Sequence, residues 1–504
     1  MTETKRVEAL YRALYASGIG DALKALKLLS LLFVLKGLEE QASQDEAQRG
    51  VVSPPGVEAC RWGVLRGMAR ADSEICYQHL RNGVGAWLTS LDRGSCLDEA
   101  PYIFAQPLPH QLDRIFDAVD ALCAASVSLL EAFETVIWWA GLEGAFSVRA
   151  GQVFTPMHIA FLIADLIRPR PGERIMDMGC GTGNLLAAAW HHMQHMGSTA
   201  SCFLADGRAL FDARERWDAG ATLLGYDYSP EIALPAYAHL LLCGGGLPRV
   251  HCGDTLGGRF NQQMTERAWG DIDVVLLNPP YHGFRDANDL GETLRWLDTD
   301  KTELLFVELA MQILRDGGRG ALLLPEGVYR NTSRAAIAVR KKLLTENQVH
   351  AVVAFPQELF QPQAGIRTSL VLFTKGGRTS EPILFYRLAR DGFSLDSKRL
   401  PVPETDLWDL RLQHAAAFGL APPVPIPDLI DQDVWEQYAA GDPATKYISP
   451  IVEPTAINPI SGERGSTLRG VTGFAITESS VQRSWFVSPE QVEAHGYSLC
   501  ADSF

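Results

Sequence analysis

The chain has 504 residues, enough for two or three domains with a substantial core. Its hydrophobic fraction of 47% and charged fraction of 21% are ordinary for a globular protein. The net charge of −15 argues against tight binding of duplex nucleic acid by this chain alone, because such binding normally requires a basic surface. If nucleic acid is the substrate, a local basic patch or a partner subunit must supply much of the binding.

Cysteine usage and the apolar runs indicate the compartment. Nine cysteines are scattered without a Cys-x-x-Cys pair, which favours reduced thiols over a disulfide framework or a zinc ribbon. The apolar run at 28–35 is too short to span a bilayer, and residues 1–6 do not resemble a secretory signal. We therefore expect a cytoplasmic protein with no membrane partner.

Residues 1–148 are predicted to form a helical domain. Apolar residues recur at three- and four-residue spacing over 22–36, and Gly37 then marks the predicted helix end. A second helical stretch covers about 110–145. The intervening segments 41–56 and 90–108 are polar or contain proline, and they are predicted to be loops.

Residues 149–376 alternate short apolar runs with helical patterns. The predicted strands are 174–178, 222–227, 249–252, 273–277, 319–324, 350–354 and 368–373, with helices at 184–196, 230–243, 302–315 and 333–346. This alternation predicts an α/β fold with a seven-stranded, doubly wound, Rossmann-like parallel sheet. Residues 377–504 lose the periodicity and are predicted to be an irregular extension, suited to contacting a partner or DNA, with a short helix at 427–440.

A glycine-rich turn follows the first predicted strand. Asp177 ends the strand, and Gly179, Gly181 and Gly183 precede a predicted helix. Such glycines permit a tight turn and a close backbone approach to a nucleotide-like ligand. The spacing is not that of a pyrophosphate fingerprint, and no Gly-Lys-Ser/Thr follows, which argues against a triphosphate site. The alternative is an ordinary tight turn.

Two further acidic residues accompany predicted strands. Asp227 ends the second strand, where a carboxylate can bind ribose hydroxyls, although it lies farther from the glycine turn than the usual ~20 residues. Asp254 follows the third strand, where it could accept a hydrogen bond from an adenine amino group. The alternatives are a polar strand end for Asp227 and common turn chemistry for Asp254.

Phe154, Thr155 and Pro156 precede the glycine turn. Thr155 is predicted to be a helix N-cap, with Pro156 in the first turn of the helix. The N-terminus of a helix suits an anionic group such as a carboxylate. The alternative is a capped helix with no ligand.

The segment Asn278-Pro279-Pro280-Tyr281 ends the apolar run at 272–277. An apolar, β-branched run that stops at two prolines predicts a buried strand followed by a rigid loop. The amide oxygen of Asn278 can accept a hydrogen bond from an amino group, and the Tyr281 ring can stack on a flat heterocycle. The loop therefore predicts a site for a planar, amino-bearing substrate.

Taken together, these motifs resemble the N6-adenine DNA methyltransferases whose cofactor motifs precede the catalytic one. The likeness is greatest to the modification (methylation) subunit of type I restriction–modification systems, over about residues 10–395. That family combines a Gly-Gln-Phe/Tyr-x-Thr-Pro element, an Asp-x-x-x-Gly-x-Gly turn, an acidic strand end and Asn-Pro-Pro-Tyr/Phe. The segments 314–327, 352–360 and 365–373 also match. The turn here, Asp-Met-Gly-Cys-Gly-Thr-Gly-Asn-Leu, departs mildly from the usual family sequence.

The resemblance implies roles for these residues. Asn278 and the Pro279 carbonyl would accept hydrogen bonds from the adenine amino group, in a loop that Pro280 stiffens. Tyr281 would stack on the flipped base, with Phe360 a candidate for its other face. No metal is implied. The cofactor would be S-adenosylmethionine, bound by Phe154, Thr155, Pro156, Asp177, Gly179, Gly181, Asp227 and Asp254.

The resemblance also implies double-stranded DNA and a DNA-specificity or other defence-system subunit as partners. The family continues beyond a Gly-Tyr-x-Leu element into a helical tail, whereas this sequence ends five residues after Leu499. Which subunit would assist is therefore open. Methylation of RNA or of a protein glutamine amide, and a non-catalytic DNA- or partner-binding role, are the alternatives. Intact Asp177, Asn278 and Tyr281 argue against the non-catalytic role.

Three other patterns have ordinary explanations beside functional ones. His191, His192 and His195 have zinc-like spacing on a predicted helix, without a third ligand element. Trp138 and Trp139 are predicted to be core or interdomain residues. A basic cluster could touch phosphates or form a solvated helix face, and it consists of Arg330, Arg334, Arg340, Lys341 and Lys342.

Overall fold

The computed structural model describes residues 3–49, 57–92, 95–142, 154–198, 222–244, 247–266, 271–361, 363–420, 446–452, 471–478 and 483–504. They belong to two compact units. The first comprises Met1–Ser147, Cys180–Gly183 and Asp218–Gly253, and the second Val148–Gly179, Asn184–Trp217 and Asp254–Phe504. The three predicted domains have other boundaries and remain predictions. The helix predicted at 427–440 lies outside the described residues.

The N-terminal part of the first unit is helical, as predicted. A π turn at Leu80–Val84 joins two of its helices, and 3₁₀ turns lie at Cys96–Glu99 and Pro109–Gln111. The helical stretch predicted at about 110–145 contains two helices, because the chain turns between them. The helices are α1 Glu3–Ala16, α2 Ala22–Arg49, α3 Val57–Cys60, α4 Trp62–Ala71, α5 Ser73–His79, α6 Gly85–Leu91, α7 Ala100–Ile103, α8 Leu112–Cys123 and α9 Leu129–Leu142.

Helix α2 does not end at Gly37, and the loop predicted from residue 41 is helical up to Arg49. In the first unit α2 packs against α12, Pro230–Leu242. A Cβ atom at Gly37 would lie 2.9 Å from Leu242 Cδ2. The glycine therefore allows close helix packing rather than stopping the helix, and the prediction of a helix end was wrong.

The main sheet strands in the described residues of the two units number nine instead of the seven predicted. Two of them, β2 Leu223–Asp227 and β3 Arg249–Cys252, pair in parallel in the first unit. The other seven lie in the second unit in the order β13-β8-β6-β7-β5-β4-β1. Their bounds are β1 Ile175–Asp177, β4 Ile272–Leu277, β5 Leu314–Pro325, β6 Asn347–Ala354, β7 Thr368–Lys375, β8 Ile383–Arg387 and β13 Ser484–Val487.

The sheet is mixed rather than wholly parallel. Strand β7 runs antiparallel to both of its neighbours, β5 and β6, whereas β4 is parallel to β1 and β5. The two additional strands come from the segment predicted to be irregular. Strand β8 pairs in parallel with β6, and β13 pairs antiparallel with β8. Short strands of this kind owe their stability to cross-strand neighbours, which local periodicity does not reveal.

Helices cover the sheet of the second unit, and short hairpins complete it. Its 3₁₀ turns lie at Glu292–Leu297, Gln357–Phe360 and Ala501–Ser503. The paired strands β9 Asp391–Phe393 and β10 Pro401–Thr405, and β11 Lys446–Val452 and β12 Val471–Glu478, form two small sheets. The helices are α10 Met157–Ile167, α11 Asn184–Ser198, α13 Gly258–Glu266, α14 Thr302–Ile313, α15 Glu326–Arg330, α16 Arg334–Glu346, α17 Leu407–Ala417 and α18 Pro489–Ala494. None of the helices in the described ranges has the length and apolar character needed to cross a bilayer.

Two elements of the second unit position the candidate site. Strand β4 is buried along nearly its whole length, as its apolar sequence predicts, and it delivers Asn278 at its carboxyl end. Helix α10 begins two residues after Thr155. At the other end of α10, Arg319 of β5 donates hydrogen bonds to the carbonyls of Ile167 and Arg168. These carbonyls have no partner within the helix, so the arginine anchors α10 to the sheet.

Candidate active site

The loop 278–281 begins where β4 ends, and its asparagine is held in place. The Asn278 side chain is buried, with 8% of its surface exposed. Its Nδ2 donates a hydrogen bond to Thr155 Oγ1 at 3.1 Å. This bond holds the buried amide in place, because a buried polar group is costly to leave without a partner. The structure thus brings two sequence-predicted residues together.

Thr155 does not cap its helix, so that part of the sequence prediction was wrong. Pro156 occupies the N-cap position of α10 with φ −57° and ψ 143°, and no side chain caps the helix there. The hydroxyl of Thr155 instead contacts Asn278. The Thr155 carbonyl accepts a hydrogen bond from Asn184 Nδ2 at 2.8 Å. Sequence reasoning missed Asn184, whose signal was its place directly after the glycine turn.

Tyr281 lies inside the second unit, with 1% of its surface exposed. Its ring meets Phe360 edge-on, with ring centroids 6.0 Å apart and an angle of 78° between the planes. Burial, and then the nearby Glu303 carboxylate, raise the pKa of Tyr281 well above its usual value. The phenol is therefore neutral and suited to stacking. A role for Phe360 against the other face of a base stays a prediction.

A strained residue follows Tyr281. His282 has a φ of +58°, a conformation that residues other than glycine adopt rarely and at some cost. Its backbone N–H donates to Glu303 Oε1 at 2.5 Å. Glu303 is buried in the first turn of α14, so this carboxylate holds the turn beside Tyr281. Sequence reasoning did not single out Glu303, because an acidic residue early in a helix is common.

In the second unit, the first part of the glycine turn adjoins the loop 278–281. Asp177 is buried at the end of β1 and accepts a hydrogen bond from the Gly179 N–H at 3.1 Å. A Cβ atom at Gly179 would lie 3.9 Å from Pro280 Cδ, so the two predicted motifs are neighbours. Phe154 is anchored separately, through a hydrogen bond from its backbone N–H to Gln363 Oε1 at 3.3 Å.

In the first unit, the other part of the turn meets Asp227. The N–H of Gly181, which has a φ of +55°, donates to Asp227 Oδ2 at 3.0 Å. The N–H of Ser229 donates to Oδ1 at 2.8 Å. Loss of hydration outweighs these two donors and raises the pKa of Asp227 to about 6. The carboxylate is ionised at neutral pH, and two of the residues predicted for the cofactor, Gly181 and Asp227, are in contact.

Asp254 has a partner that the sequence did not reveal. Its carboxylate forms an ion pair with Arg285, and it also accepts a hydrogen bond from the Leu256 N–H at 3.2 Å. An adenine amino group would have to share this carboxylate with the guanidinium. Arg285 is distant from Asp254 in sequence, and no local pattern pointed to the pair.

The basic cluster is not a uniform solvated surface. Arg340 is buried, with 3% of its surface exposed, and it donates to the carbonyls of Tyr497, Val328 and Asn331. Burial lowers the pKa of Arg340 to about 10. Arg340 therefore joins separate parts of the second unit, and both suggested roles were wrong for it. Lys342 forms an ion pair with Glu308, with Nζ and Oε1 2.6 Å apart.

The other side chains weighed for metal binding or stacking also have structural contacts. His192 Nδ1 lies 3.0 Å from Asp165 Oδ1, and His191 packs edge-on against Phe161. The side chain of His195 lies outside the described residues. The rings of Trp138 and Trp139, both partly exposed, are 6.2 Å apart.

One group of potential metal ligands occurs in the described residues. Single ligand atoms of Glu326, Cys500 and Asp502 lie within 4.8 Å of one another. Arg367 and Arg387 both contact the Asp502 carboxylate. Their charges already compensate the carboxylate, which disfavours a cation there.

Comparisons with known proteins agree with this arrangement. A family model described as N-6 DNA Methylase matches residues 143–410, just over half of the chain. The methylase subunit of the type I restriction enzyme EcoEI from Escherichia coli is 29% identical over 270 residues, which cover 52% of this chain and 51% of that subunit. The chain thus spans about half the length of this curated relative.

Solved structures show the same fold. A chain from a structural study of complex assembly and conformational transition of the type I R-M system has a TM-score of 0.65 and 20% identity, covering 99% of this chain and 89% of that chain. The type I restriction-modification system methyltransferase subunit from Streptococcus thermophilus has a TM-score of 0.58 and 17% identity, covering 83% and 94%. The resemblance inferred from the sequence motifs is confirmed. This chain belongs to the N-6 DNA methylase family.

Proposed function

We propose that this chain transfers a methyl group from S-adenosylmethionine to the N6 amino group of an adenine in DNA, as the modification subunit of a type I restriction–modification or related phage-defence system. The observation that carries the proposal is the loop 278–281 at the end of β4. Its asparagine is buried and bonded to Thr155, and its second proline lies beside Gly179 of the glycine turn.

The chemistry of the loop suits an exocyclic amine. Such an amine is a poor nucleophile, because its lone pair is delocalised into the ring. Asn278 Oδ1 and the Pro279 carbonyl would accept hydrogen bonds from the two N–H groups of the amine. These bonds would localise the lone pair and orient it for in-line attack. Tyr281 would stack on a base that has left the duplex, which offsets part of the few kcal/mol that flipping costs. When bound, the cofactor supplies an electrophilic methyl group.

The residues predicted for the cofactor suit it chemically. Asp227 is ionised above about pH 6, as an acceptor for two ribose hydroxyls must be. Asp177, a carboxylate at a strand end, would face the positive charge of the methionine part. These assignments remain proposals, as do the others in the set Phe154, Thr155, Pro156, Gly179, Gly181 and Asp254.

DNA recognition would require help. A chain with a net charge of −15 carries more carboxylates than cations, and its overall charge therefore opposes binding to phosphates. We therefore include a DNA-specificity or other defence-system subunit in the proposal. That subunit would supply the base-reading surface, while this chain supplies the transfer site.

The test compares Asn278→Ala with the wild type and with Asn288→Ala, which changes an exposed asparagine in the following loop. Each protein is incubated with labelled S-adenosylmethionine and duplex DNA, alone and with the neighbouring subunits. Removal of Asn278 should lower transfer by at least about a hundredfold, because an acceptor that positions the amine is lost. Cofactor affinity should stay within about twofold, and Asn288→Ala should behave as the wild type.

Two outcomes would contradict the proposal. Methyl transfer to RNA or to a protein glutamine amide, and never to DNA, would assign a different substrate class. Failure of the wild type to bind the cofactor would leave a non-catalytic DNA- or partner-binding role.

A further inference from the structure

The Thr155 hydroxyl has a position that neither helix capping nor packing explains. It is buried, with 5% of the residue exposed, and it is directed at the Asn278 amide and not at the start of α10. Threonine next to a helix start normally caps the helix. Here the backbone N–H groups of Ile159 and Ala160 donate to the Pro156 carbonyl, so the helix begins without the hydroxyl.

The orientation of Asn278 matters because its amide has two chemically opposite ends of nearly the same shape. The oxygen accepts hydrogen bonds and the nitrogen donates them. If Nδ2 faced the substrate amine, two donors would meet and no hydrogen bond would form. A partner bound at one end holds the amide in place and leaves the other end for the substrate.

We propose that Thr155 is a positioning residue that fixes the Asn278 side-chain amide with Nδ2 bound and Oδ1 directed to the substrate amine. This inference rests on the proposed function for its catalytic consequence. The hydroxyl of Thr155 accepts from Nδ2 at 3.1 Å. That contact assigns the Thr155 hydroxyl to the reacting amine, so a contact of Thr155 with the cofactor would come from its main chain.

Asn184 extends the same arrangement to the glycine turn. It is the first residue of α11, directly after Gly183, and it is buried. Its Nδ2 donates to the Thr155 carbonyl at 2.8 Å. Asn184 therefore binds the main chain of Thr155, and the side chain of Thr155 binds Asn278. The start of α11 and the catalytic amide are linked through a single residue.

The principal test is Thr155→Val, which keeps the shape of the side chain and removes the hydroxyl. The buried Nδ2 of Asn278 loses this acceptor, so the amide is held less firmly in the productive orientation. In single-turnover assays we expect the transfer rate to fall by about tenfold to a hundredfold. The cofactor dissociation constant should change by less than about twofold. Thr155→Ser, which retains a hydroxyl, should recover most of the rate.

A matched control separates this effect from the general cost of removing a buried hydroxyl. Thr135 is also buried, and its hydroxyl donates to the Glu131 carbonyl of its own helix at 3.0 Å. Thr135→Val should leave the transfer rate unchanged.

A second test uses the symmetry of a carboxylate. In an Asn278→Asp background both side-chain ends are acceptors, so no orienting partner is required. Thr155→Val should then lower the rate by less than about threefold, if Thr155 acts through the orientation of Asn278. An equal loss in both backgrounds would overturn the proposal.

A third measurement does not depend on methyl transfer. In protein labelled with ¹⁵N-asparagine, the side-chain NH₂ signal of Asn278 is identified by its disappearance in Asn278→Asp. Its protons should exchange slowly in the wild type and markedly faster in Thr155→Val. Slow exchange in the wild type without methyl transfer to DNA would refute the proposed function but would still support the contact between Thr155 and Asn278. Unchanged exchange in the valine variant, or a loss of cofactor binding that matches the loss of rate, would refute the role of Thr155.

Discussion

Asp227 shows how a single carboxylate can be both bonded and destabilised. Two backbone N–H groups, from Gly181 and Ser229, donate to it and favour its charge. Burial has the larger effect, and the pKa rises from 3.8 to about 6. Because the folded-state value is raised, the charged form costs stability above that pH. This cost disappears as the pH falls from about 6 towards 4 and the group becomes protonated in the folded chain.

The raised pKa predicts a pH-dependent affinity for S-adenosylmethionine. Ribose hydroxyls need the ionised carboxylate, so affinity should be constant from pH 7 to 8 and fall by about tenfold for each pH unit below 6. Calorimetric titration between pH 5 and 8 measures this. Asp227→Asn should bind weakly with a flat profile and should melt at a higher temperature than the wild type at pH 8. A flat wild-type profile would contradict the assigned role.

At the scale of elements, close approach determines what a glycine does. Gly320 of β5 lies opposite Phe373 of β7 in an antiparallel pair, and a Cβ atom there would overlap the phenylalanine ring. Gly327 in α15 is exposed, and a Cβ atom there would meet nothing within 4 Å. Glycine is thus required at position 320 and dispensable at position 327.

This contrast predicts opposite effects of two alanine substitutions. Gly320→Ala should lower the free energy of unfolding by about 1–3 kcal/mol, because Phe373 and both strands must shift. Gly327→Ala should be neutral or should stabilise by up to about 1 kcal/mol, since alanine favours the helix. Urea unfolding followed by circular dichroism measures both. Equal midpoints for the two variants would refute the close approach of β5 and β7.

Helices also show where local patterns were insufficient. The apolar spacing predicted the start of α2 at residue 22, and the structure agrees. Its end was misplaced, because Gly37 makes room for Leu242 of α12. Thr155 followed by Pro156 has the composition of a helix cap, yet a neighbouring asparagine binds the hydroxyl. In both cases a residue distant in sequence overrode a local preference.

At the scale of the whole molecule, charge limits what the chain does alone. The net charge of −15 opposes binding to a polyanion unless cations are concentrated at one place. The basic cluster offers less than its sequence indicated, because Arg340 is buried and Lys342 pairs with Glu308. These observations make a DNA-binding partner part of the proposed function.

The charge predicts weak, salt-sensitive DNA binding by the chain alone. Fluorescence anisotropy with a labelled duplex at near-physiological salt should give a dissociation constant of about 10⁻⁴–10⁻⁶ M, the range of non-specific binding. Addition of the neighbouring DNA-recognition subunit should tighten binding and raise the rate of methyl transfer together. Nanomolar binding by the chain alone would contradict this view and indicate a basic surface that the charge distribution does not suggest.

The sequence by itself determined the fold class, the strand that delivers Asn278, and the motifs at the ends of β1 and β2. These follow from local properties, namely apolar periodicity, prolines that end a strand, and glycines that permit a turn. Tertiary structure decided which side chains meet. Distant parts of the chain are joined by the hydrogen bond from Asn278 to Thr155 and by the hydrogen bond from the His282 N–H to Glu303. They are also joined by the addition of β8 and β13 to the sheet. Hydrogen bonds and strand pairs of this kind depend on the tertiary arrangement, because a local sequence pattern does not specify a distant partner.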